Sequence, residues 1–179
     1  MKFIYSLLLT FFIASSSFAQ SYTEVNEESS FKDRIYVGGG LGLQFGTYTY
    51  IDVSPRVGYK INTRLSAGVG GTYRYIKRND NIYNYETNSY GYNVFAIHTI
   101  GNQLFVQAEF ENLNFEYFYS NGEKRREWVP GTFLGGGLFQ PMGRNAGVSV
   151  TALYNFSYDE VRSPYSSPFI FRVGISAGF

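Results

Sequence analysis

The sequence predicts an all-β fold: an eight-stranded, antiparallel, up-and-down transmembrane β-barrel. Three observations lead there. Period-2 alternation recurs from Arg34 to Phe179, with no 3.6-period run of comparable length. The connections alternate between tight Asn/Gly turns and longer polar segments. One strand face holds almost no charge, while Asp, Glu and Arg share the other face with Gly and Ser.

Composition narrows the function classes first. The chain has 179 residues with 17 Tyr and 17 Phe, and only 16% are charged, so it is rich in aromatics and poor in charge. With no cysteine, disulfides, thiolate metal sites and cysteine nucleophiles are excluded. One histidine excludes a multi-histidine metal centre. The net charge of +1 argues against a nucleic-acid partner. No cofactor motif is present. Gly38-Gly39-Gly40 and Gly135-Gly136-Gly137 complete neither a dinucleotide fingerprint nor a P-loop, and they read as barrel glycines that relieve crowding.

Residues Met1 to Ala19 read as a signal peptide. Lys2 supplies the positive start, Phe3 to Ala14 the apolar segment, and Ser17 and Ala19 the small residues at the cleavage site. A membrane-anchoring helix fits less well, because the apolar run falls short of the ~20 residues a spanning helix needs. Gln20 to Asp33, polar and acidic, reads as a flexible periplasmic lead-in, and 34–179 as the barrel domain.

The eight predicted strands run Arg34–Phe45, Tyr48–Lys60, Leu65–Lys77, Tyr90–Ile100, Gln103–Tyr117, Trp128–Phe139, Ala146–Tyr158 and Phe169–Phe179. Each is long enough to supply the ~9–11 residues that cross the hydrocarbon. Strand eight is the clearest: Phe169, Phe171, Val173, Ile175, Ala177 and Phe179 share one face, opposite Arg172, Gly174 and Ser176. Strands two, three and seven repeat the pattern. Strands four and six read ambiguously, and the upper half of strand five suggests a bulge. The turns at 61–64, 101–102 and 141–145 are tight. The segments 78–89, 118–127 and 159–168 read as longer outer loops, although 46–47, on that same rim, is short. Short periplasmic turns opposite long external loops are the outer-membrane pattern, and an even strand count puts both termini in the periplasm. A soluble ligand-binding barrel would put its apolar face inside and charge outside. Here glycine accompanies the charged face, as a narrow lumen requires, so the apolar face is expected to meet lipid.

At this point the chain resembles the small eight-stranded outer-membrane β-barrel family, the porin-like superfamily that includes the OmpX and OmpA barrels. The resemblance covers Arg34 to Phe179. It rests on Tyr36-Val37-Gly38-Gly39-Gly40-Leu41-Gly42, Ser54-Pro55-Arg56-Val57-Gly58-Tyr59, Phe105-Val106-Gln107-Ala108-Glu109-Phe110-Glu111 and the terminal Phe171 to Phe179. It implies an integral protein of the outer membrane of a Gram-negative bacterium, in contact with membrane lipid and lipopolysaccharide. It also implies that Phe179 is the terminal aromatic read by the barrel-assembly machinery. Within such a superfamily roles range over adhesion, structure and enzymes. The expected role is non-enzymatic: structural, adhesive, or accessory to a larger envelope complex. The alternatives are a lipid-modifying enzyme and a narrow passive pore.

Candidate site residues follow from the faces. Asp52, Arg56, Arg74, Glu109, Glu111 and Arg172 fall on interior faces, three acids and three arginines that can neutralise one another as a lumen ion-pair network. The paired Glu109 and Glu111 suit acid/base work, but the ion-pair reading is the plainer one. The expected consequence is a lumen filled by side chains. Lys124, Arg125 and Arg126, read into the third outer loop, are a candidate contact for lipopolysaccharide phosphates, or else a solvated loop tip. Tyr83, Tyr85 and Tyr90 are either a binding surface or strand extension. His98 is a candidate catalytic base for a lipid-modifying reaction. It lies, however, at the rim of the short turns, and is read as a rim residue without that role.

Overall fold

The computed structural model of the chain describes residues 30–44, 48–79, 84–118, 124–143, 146–160, 162–165 and 167–178. The expected signal peptide, residues 20–29 of the lead-in, Tyr83 and Phe179 lie outside the described residues. Eight antiparallel strands close into a barrel in sequence order: β1 (Ile35–Gln44), β2 (Tyr48–Lys60), β3 (Leu65–Asn79), β4 (Asn84–Ile100), β5 (Leu104–Phe118), β6 (Lys124–Pro141), β7 (Ala146–Asn155) and β8 (Phe169–Ala177). The first and last strands meet at the end that carries the short turns, where Val37 faces Ala177. The 3-10 turn Phe31–Arg34 precedes β1, and its Phe31 ring lies 5.3 Å from that of Tyr59. The last part of the expected lead-in is therefore structured, because an aromatic residue anchors it to the barrel foot.

The alternation in the sequence becomes an inside-out surface. Val37, Val57, Val69, Val94, Leu134, Val150 and Ile175 are exposed around the whole outer wall, while Asn93, Gln107, Glu109, Glu111 and Thr151 are buried in the lumen. A continuous apolar surface of this extent exceeds the patches that soluble monomers present to water.

The strands with ambiguous faces are resolved. On β4, Ser89, Asn93 and Phe95 point inward, and Tyr90, Tyr92 and Val94 outward. On β6, Phe133 is inward, and Trp128, Leu134 and Leu138 are outward. Their patterns were illegible because aromatic residues serve both faces, as lumen filler and on the outer wall. No bulge interrupts β5. Its pairing with β4 runs in unbroken register from Tyr90↔Asn114 to Ile100↔Leu104, and with β6 from Leu104↔Leu138 to Phe118↔Lys124. The apparent break comes from Asn114, an outward residue that is buried because Arg126 Nη1 donates to its Oδ1 at 2.9 Å.

Two expected loops are largely strand. The β3–β4 ladder continues to Asn79↔Asn84, and β6 begins at Lys124. Strands β3 to β6 have 15–18 residues against 9 or 10 for β1, β7 and β8. The wall thus rises higher on one side of the barrel than on the other. Beyond the apolar band both faces meet water, so the alternation that marks a strand in the sequence disappears while the backbone ladder persists. The short turns are fixed locally: Asn62 Oδ1 accepts from Arg64 N (2.9 Å) and Leu65 N (2.8 Å), and Gly101 sits at φ 65°.

Inside the barrel, rings lie flat against wall glycines. A Cβ at Gly58 would stand 2.1 Å from Tyr36 Cζ, and one at Gly147 would stand 2.1 Å from Phe139 Cζ. Gly58→Val and Gly147→Val are therefore expected to push those rings off the wall and destabilise the barrel by about 1–3 kcal/mol. Urea titration of the folded, heat-modifiable form in detergent would register this as an earlier midpoint. Gly71→Ala, whose new Cβ meets no atom closer than 3.8 Å, is the matched control and should unfold like the parent.

Candidate functional site

The residues that carry chemistry converge in the lumen. Glu109, on β5, stands at the centre. Its Oε2 accepts from Arg56 Nη2 (2.8 Å) and from Gln107 Nε2 (2.7 Å), and its Oε1 accepts from Arg172 Nη1 (2.6 Å). Arg172 Nη2 also lies 3.6 Å from Glu111 Oε2. Nearby, Arg74 Nε donates to Asp52 Oδ2 at 3.0 Å, and Ser54 Oγ donates to Asp52 Oδ1 at 2.7 Å. All six residues on the predicted interior faces are thus brought together, each acid with an arginine.

The local fold explains these pairings. Asp52 and Arg74 are directly opposed in the β2–β3 register, so their bond is a cross-strand pair. The Glu109 bonds cross the lumen instead. Arg56 is on β2 and Arg172 on β8, the two strands that flank β1, whereas β5 stands on the far side of the barrel. Each arginine also lies over a ring: Arg56 over Phe95 (5.2 Å), Arg74 over Tyr165 (5.2 Å) and Arg172 over Phe133 (5.5 Å). Desolvating three guanidinium groups is costly. Matched carboxylates and ring faces offset that cost only when all are in place.

Tyr165 is the residue that sequence reasoning missed. The long β7–β8 connection reads as an outer loop, yet Tyr165 turns back into the lumen, where its hydroxyl donates to Glu111 Oε1 and its ring packs edge-on to Phe133 at 5.8 Å. Through Tyr165 the Asp52–Arg74 pair joins the Glu109 cluster. Burial, and then the facing Glu111 carboxylate, push the phenol well above its ordinary pKa, so it remains a donor. The loop that delivers it is tied down: Tyr117 donates its hydroxyl to Arg162 O, Arg162 N donates to Asp159 Oδ1 (2.9 Å) and Ser163 N to Asp159 O (2.9 Å). A tyrosine between prolines, in Ser163-Pro164-Tyr165-Ser166-Ser167-Pro168, is the only signal the sequence offers. It marks a rigid turn without saying which way the ring points.

The lumen is not completely filled, contrary to the sequence expectation. A cavity of about 750 Å³ lies beside the network, bordered by Tyr36, Arg56, Phe95, Phe105, Phe139 and Arg172 among others. Because rings such as Tyr36 and Phe139 lie against glycines of the adjacent wall, they leave the centre open.

The other candidates lie elsewhere. His98 is on the outward face of β4, in register with Leu65 and Val106, near the β4–β5 turn. Among the described residues no Ser or acid hydrogen-bonds to it. Lys124, Arg125 and Arg126 belong to strand β6 rather than to a loop, facing Phe118, Tyr117 and Glu116 of β5. Lys124 Nζ and Arg126 Nε share the Glu116 carboxylate at 3.9 and 3.7 Å. Arg126 also lies over the Tyr90 ring at 5.5 Å, and Tyr90 and Tyr92 both pack on Trp128. Among the described residues no group of three His, Cys, Asp or Glu side chains is placed to hold a metal ion.

Replacing Glu109 by Gln keeps the shape but leaves Arg56 and Arg172 without their charge partner, at an expected cost of about 3–5 kcal/mol. Tyr165→Phe removes one bond to a carboxylate and keeps the ring, at about 1.5–3 kcal/mol. Denaturant titration of both variants should rank Glu109→Gln as the more damaging, and the reverse order would mean that the loop rather than the bridge holds the lumen.

No family model matches the chain, and no curated protein matches it in sequence. Among solved structures, the chain is similar to the N-terminal β-barrel domain of Pseudomonas aeruginosa OprF, with 14% identity and a TM-score of 0.46, over 80% of this chain and 95% of that one.

Proposed function

We propose that the protein is an integral β-barrel of a Gram-negative outer membrane, with a non-enzymatic role as a structural, adhesive or accessory component of the envelope. The observation that carries this reading is the inverted surface: apolar side chains outside on every strand, and Arg74, Glu109 and Glu111 buried in the lumen. The outward cluster of Tyr90, Tyr92 and Trp128 suits a membrane–water interface, where an amphipathic ring can keep its polar edge wet. Both barrel ends meet beside the short turns, and this reading puts that rim in the periplasm. Lipopolysaccharide, the surrounding lipid and the barrel-assembly machinery are the partners it implies, the last through Phe179. With both lumen glutamates engaged by arginines and His98 on the outer wall, the lumen is closed to steady ion flow in this reading.

Membrane flotation and heat-modifiable gel mobility test the class together. The folded form should float with the membrane and shift on boiling, whereas a soluble form with unshifted mobility would end the proposal. For orientation, the cysteine-free chain allows single reporters. In intact cells a membrane-impermeant maleimide is expected to label Glu160→Cys and to spare Thr63→Cys, and the opposite pattern would invert the topology. In planar bilayers the purified barrel should give no steady conductance; a stable open channel would favour the pore instead.

A further inference from the structure

We propose that the lumen takes up a lipid acyl chain sideways, through the seam between β1 and β8. This rests on the membrane-barrel reading above. Among the described residues, β1 pairs with β8 only from Val37↔Ala177 to Gly40↔Gly174. Beyond Gly40 and Gly174 each strand keeps its other neighbour: β1 stays paired with β2 as far as Gln44↔Tyr50, and β8 with β7 as far as Tyr154↔Phe169. The two strands therefore part in the half of the barrel nearer Tyr165.

The cavity reaches the outer surface at that parting. On β2, β3, β4, β6 and β7 only lumen-facing residues border it, and on β5 the outward Leu104 joins them at the short-turn end, but on β1 and β8 residues of both faces border it along the seam, including Gly39, Leu41, Phe171 and Val173. The lips of the seam are apolar and open: Leu41 is 65% exposed, Phe171 76% and Val173 62%. Backbone without ladder partners is tolerated at membrane depth where it lines a water-filled cavity. Pro164 and Tyr165 also border the space, on the side of the long loop, so the approach from that side is narrowed while the lateral one is open.

Inside, the chemistry suits hydrocarbon. The rings of Tyr36, Phe95, Phe105 and Phe139 border the space with Ile97 and Leu104, and the paired charges and several hydroxyls take the rest. The three arginines are balanced by three carboxylates, so the site does not call for a charged ligand. About 750 Å³ falls within the ~300–1,000 Å³ typical of small-molecule sites, and an eight-stranded barrel can hold one small ligand. The polar end of the amphiphile would stay at the lips.

Photolabelling tests this in dioleoylphosphatidylcholine vesicles. Two probes are used separately, a diazirine-bearing free fatty acid and a diazirine-bearing phosphatidylcholine, and label is mapped to single residues. Lipid-facing Val106 and Val150 should be labelled by either. Lumen-facing Gln107, Ser149 and Thr151 should be labelled by at least one, and whichever probe reaches them identifies the source of the chain. The double variant Leu41→Cys with Val173→Cys places thiols where the β1–β8 ladder would take its next step. Oxidation should lower lumen labelling at least tenfold, spare Val106 and Val150, and be reversed by dithiothreitol. Unlabelled lumen positions in the parent, or labelling unchanged by the staple, would overturn the proposal. Loss of label at Val106 and Val150 in the parent would instead overturn the membrane-barrel reading. Should the stapled variant fail to fold, Ser149→Phe fills the cavity from within, and persistence of lumen label in it would equally overturn the proposal.

Discussion

The Glu109 carboxylate holds the barrel together across its middle. Eight strands close into a cylinder only if the last meets the first, and here that closure is short, four residue pairs between β1 and β8 among the described residues. Glu109 takes Arg56 from β2 on one oxygen and Arg172 from β8 on the other. It thereby ties both neighbours of β1 to the opposite wall. Deep in a narrow lumen each charge would be costly alone, and the cost is offset only when donor and acceptor geometry are both satisfied. Gln107, which donates to the same Oε2, completes the coordination of that carboxylate.

The rest of the interior is arranged around this bridge. Glycines on the wall admit rings lying flat, and rings give each guanidinium a face to rest on. The long β7–β8 connection then sends Tyr165 into the cluster, linking Arg74 to Glu111. Charge neutrality within the set has a functional side as well. A lumen whose acids and arginines answer one another presents neither a selectivity ring nor a free anion site. Beside the network lies a cavity whose border mixes rings with these paired charges and with hydroxyl side chains.

Above the apolar band the wall obeys different rules. Strands β3 to β6 continue upward as a sheet in which Lys77 and Glu86 come within 3.9 Å and Arg126 is shared by Glu116 and Asn114. Exposed ion pairs of this kind contribute little stability individually. The projecting sheet is held mainly by its backbone ladder, which continues while the side-chain pattern becomes irregular. This is why the basic run Lys124-Arg125-Arg126 reads as a loop tip in the sequence and is a strand in the fold. Lys124 and Arg126 are already engaged with Glu116 of β5, so any phosphate would have to compete with that carboxylate.

The sequence by itself determined the strand count, the antiparallel order and the face of every strongly alternating strand, because a period of two assigns each side chain to the lumen or the outer wall with no further information. It also determined which six ionisable residues face inward, since Asp52, Arg56, Arg74, Glu109, Glu111 and Arg172 each sit opposite an apolar run. Which acid meets which arginine was left to the tertiary structure. Partners such as Arg172 and Glu109 stand 63 residues apart, and only closure and register fix their separation across the lumen. Closure also decided the direction of Tyr165, the cavity left by rings folded onto glycines, and the parting of β1 from β8. Each of these depends on distances between strands that no local pattern encodes.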